Sequence, residues 1–170
     1  MRNIDSQLAS NPSELTSSTF GSILVFLIRE IIMLECLIIG DSIAVGTKQF
    51  APHCELQGKG GINTWQFNKM YPGSFYADTV IISLGSNDHQ YVKTYDQLFE
   101  MRQRVGAKRV FWVLPAGNLK ASNVPIERIQ SIVKELAEYY GDTVLPINGL
   151  QKDGIHPSWS GYKDIVERTK

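Results

Sequence analysis

The clearest pattern in the chain is a series of short apolar runs separated by stretches long enough for a helix. The runs "CLII", "TVIISL", "RVFWVL" and "TVLPI" predict buried strands, and "HCELQG" predicts a further short strand. Between and after them, helices are predicted over residues 42–50, 94–104 and 158–168. Strands joined by helix-length connections pair in parallel through right-handed crossovers, so we expect an α/β fold.

The longest amphipathic stretch is "NVPIERIQSIVKELAEYYG", residues 123–141. Its apolar side chains fall on one helical stripe, which is typical of a face that packs on a core. The stripe consists of Ile126, Ile129, Val133 and Leu136. We expect Asn123 to cap this helix, Pro125 to lie in its first turn and Gly141 to follow its end.

The first part of the chain, residues 1–32, does not follow this alternation. Its apolar run "FGSILVFLI" is cut off by Arg29 and Glu30, well short of the ~20 residues that span a bilayer. A signal-peptide pattern is not evident, which favours a cytoplasmic location. We therefore predict an N-terminal extension over 1–32 and one domain over 33–170. Three interpretations of the extension stay open: a non-native segment before a true start at Met33, an ordered helical extension, or a weak membrane anchor.

Composition narrows the functional classes. A chain of 170 residues suits one domain with a substantial core. Lysine plus arginine and aspartate plus glutamate both number 17, so no net charge attracts nucleic acid or anionic lipid, and no nucleic-acid partner is expected. Cys36 and Cys54 form neither a zinc-site spacing nor a disulfide framework. Cys36 lies in an apolar run, so we expect a buried free thiol.

Glycine and polar residues follow the predicted strands. Parallel sheets place their sites outside the carboxyl ends of the strands, so these segments are expected to meet. They are Gly40-Asp41-Ser42 after the first strand, Gly60-Gly61 after the second, Gly85-Ser86-Asn87-Asp88 after the third and "DGIHPS" after the last.

Two nucleotide motifs and one hydrolase motif are poor matches to these segments. In "GDSIAVGTK" the second glycine, Gly46, comes six positions after Gly40, and Thr47 precedes the lysine, so the phosphate-loop pattern fails. No dinucleotide-binding GxGxxG follows the first strand. The nucleophile elbow GxSxG fails because Ala44 stands where its second glycine belongs.

A nucleophilic serine at position 42 needs a base and a group that orients the base. Of the three histidines, only His156 has a carboxylate three residues earlier, at Asp153. Asp153 can hold one imidazole nitrogen while the other nitrogen meets Ser42. His53 is interpreted as a loop or strand-edge residue.

An acyl-transfer site also needs donors for the developing oxyanion. Asn87 can offer its side-chain amide, and Gly61 can offer a backbone N–H that approaches the substrate closely. The alternatives are an Asx-turn at Asn87 and a turn with positive φ at Gly61. His89, beside Asp88, either forms a solvated loop pair or lines the rim of a substrate site.

Together these segments resemble the blocks of the SGNH hydrolases, also called GDSL-like esterases and lipases. "GDS", the glycine of "GGINT", "GSND" and "DGIHPS" occur in the family's order over about residues 34–162. By resemblance, Ser42 is the nucleophile and Asp153 and His156 complete the triad. By the same resemblance, the N–H of Ser42 with Gly61 and Asn87 forms the oxyanion hole.

The resemblance implies a three-layer α/β/α sandwich with a small parallel, flavodoxin-like sheet, and no metal or cofactor. The domain is small for this family and has short loops, so we expect short acyl groups, acetyl foremost, on a carbohydrate or other polar scaffold. Trp65, Tyr91 and Trp159, with His89, are candidate substrate-binding residues, although the aromatic rings can equally pack in the rim or core.

Two alternatives to an esterase remain, and the oligomeric state is left open. An acyltransferase would use the same triad with a different acceptor. A non-catalytic carbohydrate-binding module would keep the fold without the reaction, although the complete set of triad residues argues against it.

Overall fold

The structure is a computed structural model that describes residues 33–170. Within these residues five strands form one sheet: β1 (Leu34–Gly40), β2 (Glu55–Gly58), β3 (Phe75–Ser83), β4 (Val105–Leu114) and β5 (Thr143–Pro146). All neighbouring strands pair in parallel, in the spatial order β2-β1-β3-β4-β5. The expectations for residues 1–32 lie outside the described residues.

Helices cover both faces of the sheet. They are α1 (Ser42–Phe50), α2 (Thr64–Met70), α3 (Thr94–Gln103), α4 (Ile126–Tyr140) and α5 (Trp159–Glu167), with a short 3₁₀ helix at Lys120–Ser122. Helices α1 and α5 contribute to one buried apolar cluster, and α2, α3 and α4 contribute to another. The expected three-layer α/β/α sandwich is therefore confirmed.

The central strands are apolar at successive positions because both of their faces are buried. In β3, Val80 and Ile82 join the cluster beneath α2, α3 and α4, while Ile81 joins the cluster beneath α1 and α5. The strand order reverses between β1 and β3, and ligands of such sheets bind in the crevice at that reversal. The segments that carry Ser42 and Asn87 follow these two strands.

The expectation of a free thiol at Cys36 is wrong, because Cys36 and Cys54 form a disulfide. The parallel register sets Leu37 opposite Glu55, which brings the two preceding residues side by side. Sequence spacing does not reveal this register. The bridge ties the start of β1 to the segment before β2, and it encloses α1. His53 lies beside the two cysteines. Because both are in the bridge, no free thiolate among the described residues can join His53 in binding a metal.

The start of α4 also differs from the prediction. The helix begins at Ile126, with Pro125 at the N-cap position and no side-chain cap. Asn123 instead adopts a left-handed conformation, with φ of 53°, after the 3₁₀ helix. The residue before a proline is disfavoured in helical conformation, so the helix cannot extend back through Val124. Gly141 follows the helix end, as predicted.

Helix α2 was not predicted from the sequence. It is capped by a reciprocal pair in which the Asn63 side chain accepts the Gln66 N–H and the Gln66 side chain accepts the Asn63 N–H. The N-x-x-Q spacing is a polar variant of the capping box, and it is the signal that could have located this helix.

Candidate active site

Ser42 leaves the sheet at a turn that only glycine permits. Gly40, the last residue of β1, has φ of 141°, and a Cβ there would overlap the Ser83 carbonyl oxygen. Asp41 then caps α1, and Ser42 is its first residue. The N–H of Ser42 is one of the first-turn groups that have no acceptor within the helix, so it is available to an anion.

Ser42, His156 and Asp153 lie in one hydrogen-bonded chain. The Ser42 Oγ lies 2.8 Å from His156 Nε2, and His156 Nδ1 lies 2.6 Å from Asp153 Oδ2. Ser42 and His156 are far apart in the sequence, so the fold brings them together, whereas Asp153 and His156 share one turn. This geometry allows the imidazole to accept a proton from the serine while the carboxylate holds its other nitrogen.

Asp153 is fixed as an anion by the turn that contains it. Its Oδ1 accepts the backbone N–H groups of Ile155, at 2.9 Å, and of His156, at 3.0 Å. The bond from the Ile155 N–H, together with the bonds from the side chain and N–H of His156, lowers the pKa of Asp153 to about 2. The carboxyl group is 42% exposed and stays ionised at any pH near neutrality.

The two predicted oxyanion donors lie on neighbouring loops. Asn87 donates from Nδ2 to the Ile62 carbonyl oxygen at 3.0 Å, which ties the loop after β3 to the loop after β2 and leaves its second N–H. Gly61 has φ of 75°, and nothing lies within 4 Å of a Cβ built there. A Cβ at Gly60 would lie 3.9 Å from Ser42 Cβ, so this loop passes close to the serine.

Comparisons with solved structures identify the architecture. A GDSL-like lipase from Bacteroides thetaiotaomicron superposes with a TM-score of 0.59 at 17% identity, covering 87% of this chain and 93% of that one. The C-terminal catalytic domain of a Streptococcus pneumoniae peptidoglycan O-acetyltransferase superposes with a TM-score of 0.60 at 20% identity, covering 81% and 93%. The chain has the SGNH-hydrolase fold. A scan against protein-family models and a search of curated proteins find no match.

Three of the candidate substrate residues of this SGNH fold line one cavity. Trp65, His89 and Tyr91 border a space of about 520 Å³ between the loops that follow β2 and β3. Neither Ser42 nor His156 borders it. Trp159 is not among the residues of this cavity, because its ring packs edge-on against Phe50 of α1 at 4.7 Å.

Asp88, for which the sequence left open a solvated loop pair with His89, is buried. Its carboxylate accepts the N–H of Thr64 at 2.8 Å and the hydroxyl groups of Thr64 and Thr94, both at 2.7 Å. Burial raises its pKa, and these three bonds oppose the rise. The bonds hold the first residues of α2 and α3 together. A threonine at the start of each helix was the available signal.

Asp41, which the sequence marked only as part of a motif, is wholly buried. Its Oδ1 accepts the Ile43 N–H at 3.0 Å and the Ser83 hydroxyl at 3.1 Å, while its Oδ2 has no partner among the described residues. Desolvation raises the pKa of Asp41 to about 6, despite hydrogen bonds that act in the opposite direction. Asp41 therefore positions the residue that follows it.

A helix within residues 33–170 would have to be both long and apolar to cross a bilayer. None of the helices described there meets both requirements.

Proposed function

We propose that the protein is a serine esterase that hydrolyses short-chain esters, acetyl esters foremost, on a carbohydrate or other polar scaffold. The observation that carries the proposal is the chain of hydrogen bonds from Asp153 through His156 to Ser42. A serine hydroxyl becomes a competent nucleophile when a base receives its proton, and this chain supplies the base and its orienting carboxylate.

The proposed reaction has two stages. Ser42 Oγ attacks the ester carbonyl carbon while its proton passes to His156 Nε2. The tetrahedral intermediate then collapses, the bond to the alcohol oxygen breaks, and the imidazolium returns its proton to the leaving alcohol. Water then gives a proton to the same imidazole as it attacks the acyl carbon, the bond to Ser42 Oγ breaks, the acid leaves, and the imidazolium returns its proton to Ser42.

The proposed oxyanion hole consists of the N–H groups of Ser42 and Gly61 and the amide of Asn87. The positive end of α1 supports the first donor, and the open, left-handed backbone of Gly61 supports the second. The bond of Asn87 to Ile62 supports the third, because it holds the amide in place before a substrate arrives.

Short connections close to Ser42 support the proposed preference for short acyl groups. Residue 41 alone joins β1 to α1, and residues 59–63 join β2 to α2. Neither of these two connections is long enough to enclose a long acyl tail. Extra methylene groups would therefore remain in water rather than gain about 0.8 kcal/mol each on burial.

The test is a panel of p-nitrophenyl esters from acetate to octanoate. We expect kcat/KM to be highest for acetate or butyrate and to fall steeply beyond about four carbons, where burial ceases to contribute. Ser42→Ala, which removes only the nucleophile, serves as the control and should abolish turnover with an unchanged Tm. Rates that rise steadily to octanoate would overturn the short-chain proposal, and full activity in Ser42→Ala would overturn the catalytic one.

A second candidate is transfer of the acyl group to a sugar hydroxyl instead of water. The solved neighbour named as an O-acetyltransferase motivates it, because the same triad serves either acceptor. Product analysis with acetyl donor and a sugar acceptor separates the two: an esterase releases acetate at a rate that the acceptor does not change, whereas a transferase gives acetylated sugar.

A further inference from the structure

The cavity of about 520 Å³ bordered by Trp65, His89 and Tyr91 is lined by aromatic rings, amide side chains and a lysine. Its volume lies in the range of ligand pockets, roughly 300–1,000 Å³. Two of the residues that line it, Asn63 and His89, come two positions after Gly61 and Asn87, so the cavity lies close in the chain to both proposed oxyanion donors. None of the described residues that line it is acidic.

Two amide side chains in this wall have their orientations fixed by the backbone. Asn63 Oδ1 accepts the Gln66 N–H at 2.9 Å, and Gln66 Oε1 accepts the Asn63 N–H at 3.0 Å. Because a backbone N–H can only donate, the atom that meets it must be the amide oxygen. The NH₂ group of each side chain is left, and neither donates to an acceptor among the described residues.

A third amide, Gln97, is fixed in the same way through two steps. Asn68 Oδ1 accepts from Arg104 at 2.6 Å, so Asn68 Nδ2 is the donor that meets Gln97 Oε1 at 2.9 Å. An arginine side chain has no acceptor, which makes this assignment unambiguous. Gln97 therefore also keeps its NH₂ group, which has no acceptor within the described part of the chain. With the Lys93 ammonium group, the wall presents hydrogen-bond donors.

The remaining surface of the cavity is aromatic. Trp65 is 52% exposed and Tyr91 is 83% exposed, so their rings present large apolar faces to solvent. Aromatic rings with polar tips suit ligands that are apolar on one face and polar at the edge. A sugar ring has that character, since its C–H groups form a face and its oxygen atoms lie around the edge.

We propose that this cavity binds the alcohol part of the substrate, a sugar residue with an exocyclic carbonyl or carboxylate oxygen, as in an N-acetylamino sugar or a uronic acid. The aromatic rings contact the sugar face, and the amide NH₂ groups with Lys93 donate to the exocyclic oxygen. The inference rests on the proposed esterase function, because the cavity is proposed to bind the leaving group of that reaction.

Three substitutions remove a donor and keep the protein's own hydrogen bonds. Asn63→Asp, Gln66→Glu and Gln97→Glu each retain the oxygen that accepts from the protein, and aspartate is as good an N-cap as asparagine. Trp65→Ala removes an aromatic face. Tyr139→Ala is the matched control, since Tyr139 is 73% exposed on α4 and is not among the residues that line the cavity.

The first readout is kinetic. For each variant kcat/KM is measured on O-acetylated N-acetylglucosamine oligomers, O-acetylated galacturonate oligomers and p-nitrophenyl acetate, which lacks a sugar. We expect the ratio of sugar ester to p-nitrophenyl acetate to fall at least tenfold, mainly through KM, for Trp65→Ala and for each donor variant. Tyr139→Ala should leave the ratio unchanged. Ratios within twofold of wild type for all four cavity variants would overturn the proposal.

The second readout is calorimetric binding of the unesterified oligomers to the full chain, with a glucose oligomer as the neutral comparison. Tighter binding of the acetamido or uronate oligomer, lost in Asn63→Asp, supports the proposal, and Lys93→Gln should weaken only the uronate. Equal affinity for the glucose oligomer would overturn it. Binding that follows this pattern in a protein that hydrolyses no ester would retain the sugar site and refute the esterase. Hydrolysis of p-nitrophenyl acetate without sugar binding would do the reverse.

Discussion

Two aspartates at the candidate site differ in almost every physical respect. Asp41 is wholly buried, and desolvation raises its pKa to about 6. Asp153 has a side chain that is 42% exposed, and hydrogen bonds from Ile155 and His156 lower its pKa to about 2. The first precedes Ser42 in the chain, and the second contacts its proposed base.

This difference shows that the nucleophile and its base are positioned in two different ways. The nucleophile is held from within the sheet, where Asp41 caps α1 and bonds to Ser83 of β3. The base is held at the surface by a turn whose own N–H groups fix Asp153. We therefore expect substitution of Asp153 to lower the rate, and substitution of Asp41 to change how stability depends on pH.

The largest effect is expected from loss of the proposed base, His156, at the surface. His156→Ala should lower esterase kcat/KM by roughly a thousandfold or more, because the proton of Ser42 then has no acceptor. Asp153→Ala should lower it somewhat less, since Asp153 orients the base and transfers no proton. Steady-state kinetics with p-nitrophenyl acetate measures both, and melting curves should show an unchanged Tm for His156→Ala and a small decrease for Asp153→Ala, whose lowered pKa stabilises the fold near neutral pH.

The matched control is His53→Ala, since His53 is exposed and lies before β2, next to the disulfide. It should retain wild-type kinetics. If His53→Ala were as damaging as His156→Ala, the assignment of the base would be wrong.

A smaller effect is expected at Asn87, on the loop between the two halves. Asn87→Ala should lower kcat about a hundredfold with little change in KM, because its hydrogen bond strengthens as the oxyanion develops. The variant also loses the bond to Ile62, so hydrogen exchange of the 59–63 loop should be followed alongside the kinetics. A change confined to KM would instead indicate a residue that contacts the ground-state substrate.

Asp41→Asn tests the buried half, and the effect is expected in stability. The pKa of Asp41 rises from 3.8 in the unfolded chain to about 6 in the fold, so the native state binds the extra proton between these values. The stability associated with that proton is fully present below pH 3.8 and is lost as pH rises through about 6. Asparagine keeps the Oδ1 contacts and does not titrate.

The measurement is the free energy of unfolding of both proteins from pH 4 to pH 7. Relative to the wild type, Asp41→Asn should gain about 2–3 kcal/mol across this range, since one unit of pKa corresponds to about 1.4 kcal/mol. Groups that do not interact with Asp41 titrate equally in both proteins and cancel. A difference that stays constant with pH would show that Asp41 does not carry the raised pKa.

The smallest effect is expected for removal of residues 1–32. The strand β1 begins at Leu34, after the last residue of the extension. A chain that begins at Met33 should therefore keep the wild-type kcat/KM and a Tm within a few degrees. Loss of folding would show that the extension contributes to the core.

The strands and the candidate triad were accessible from the sequence because each depends on a local signal. The strand over Phe75–Ser83 shows as a β-branched run, and the Asp153–His156 pair shows as a spacing of three. The position of Ser42 follows from the rule that parallel sheets place polar residues at the carboxyl ends of strands.

The features that sequence reasoning missed depend on register and burial. The Cys36–Cys54 bridge requires knowing that β1 pairs with β2 with Leu37 opposite Glu55. The burial of Asp88 could be predicted only by knowing that the first residues of α2 and α3, Thr64 and Thr94, both contact its carboxylate.

The most direct test of the central claim is covalent labelling of the nucleophile. The full chain is treated with a fluorophosphonate, which forms a bond from the serine oxygen to phosphorus as fluoride leaves, and the adduct is mapped by peptide mass spectrometry. We expect one adduct, on Ser42. It should form rapidly in the wild type and in Asp41→Asn, and at least a hundredfold more slowly in His156→Ala. Labelling at another serine, or ester hydrolysis that persists while Ser42 stays unmodified, would contradict it.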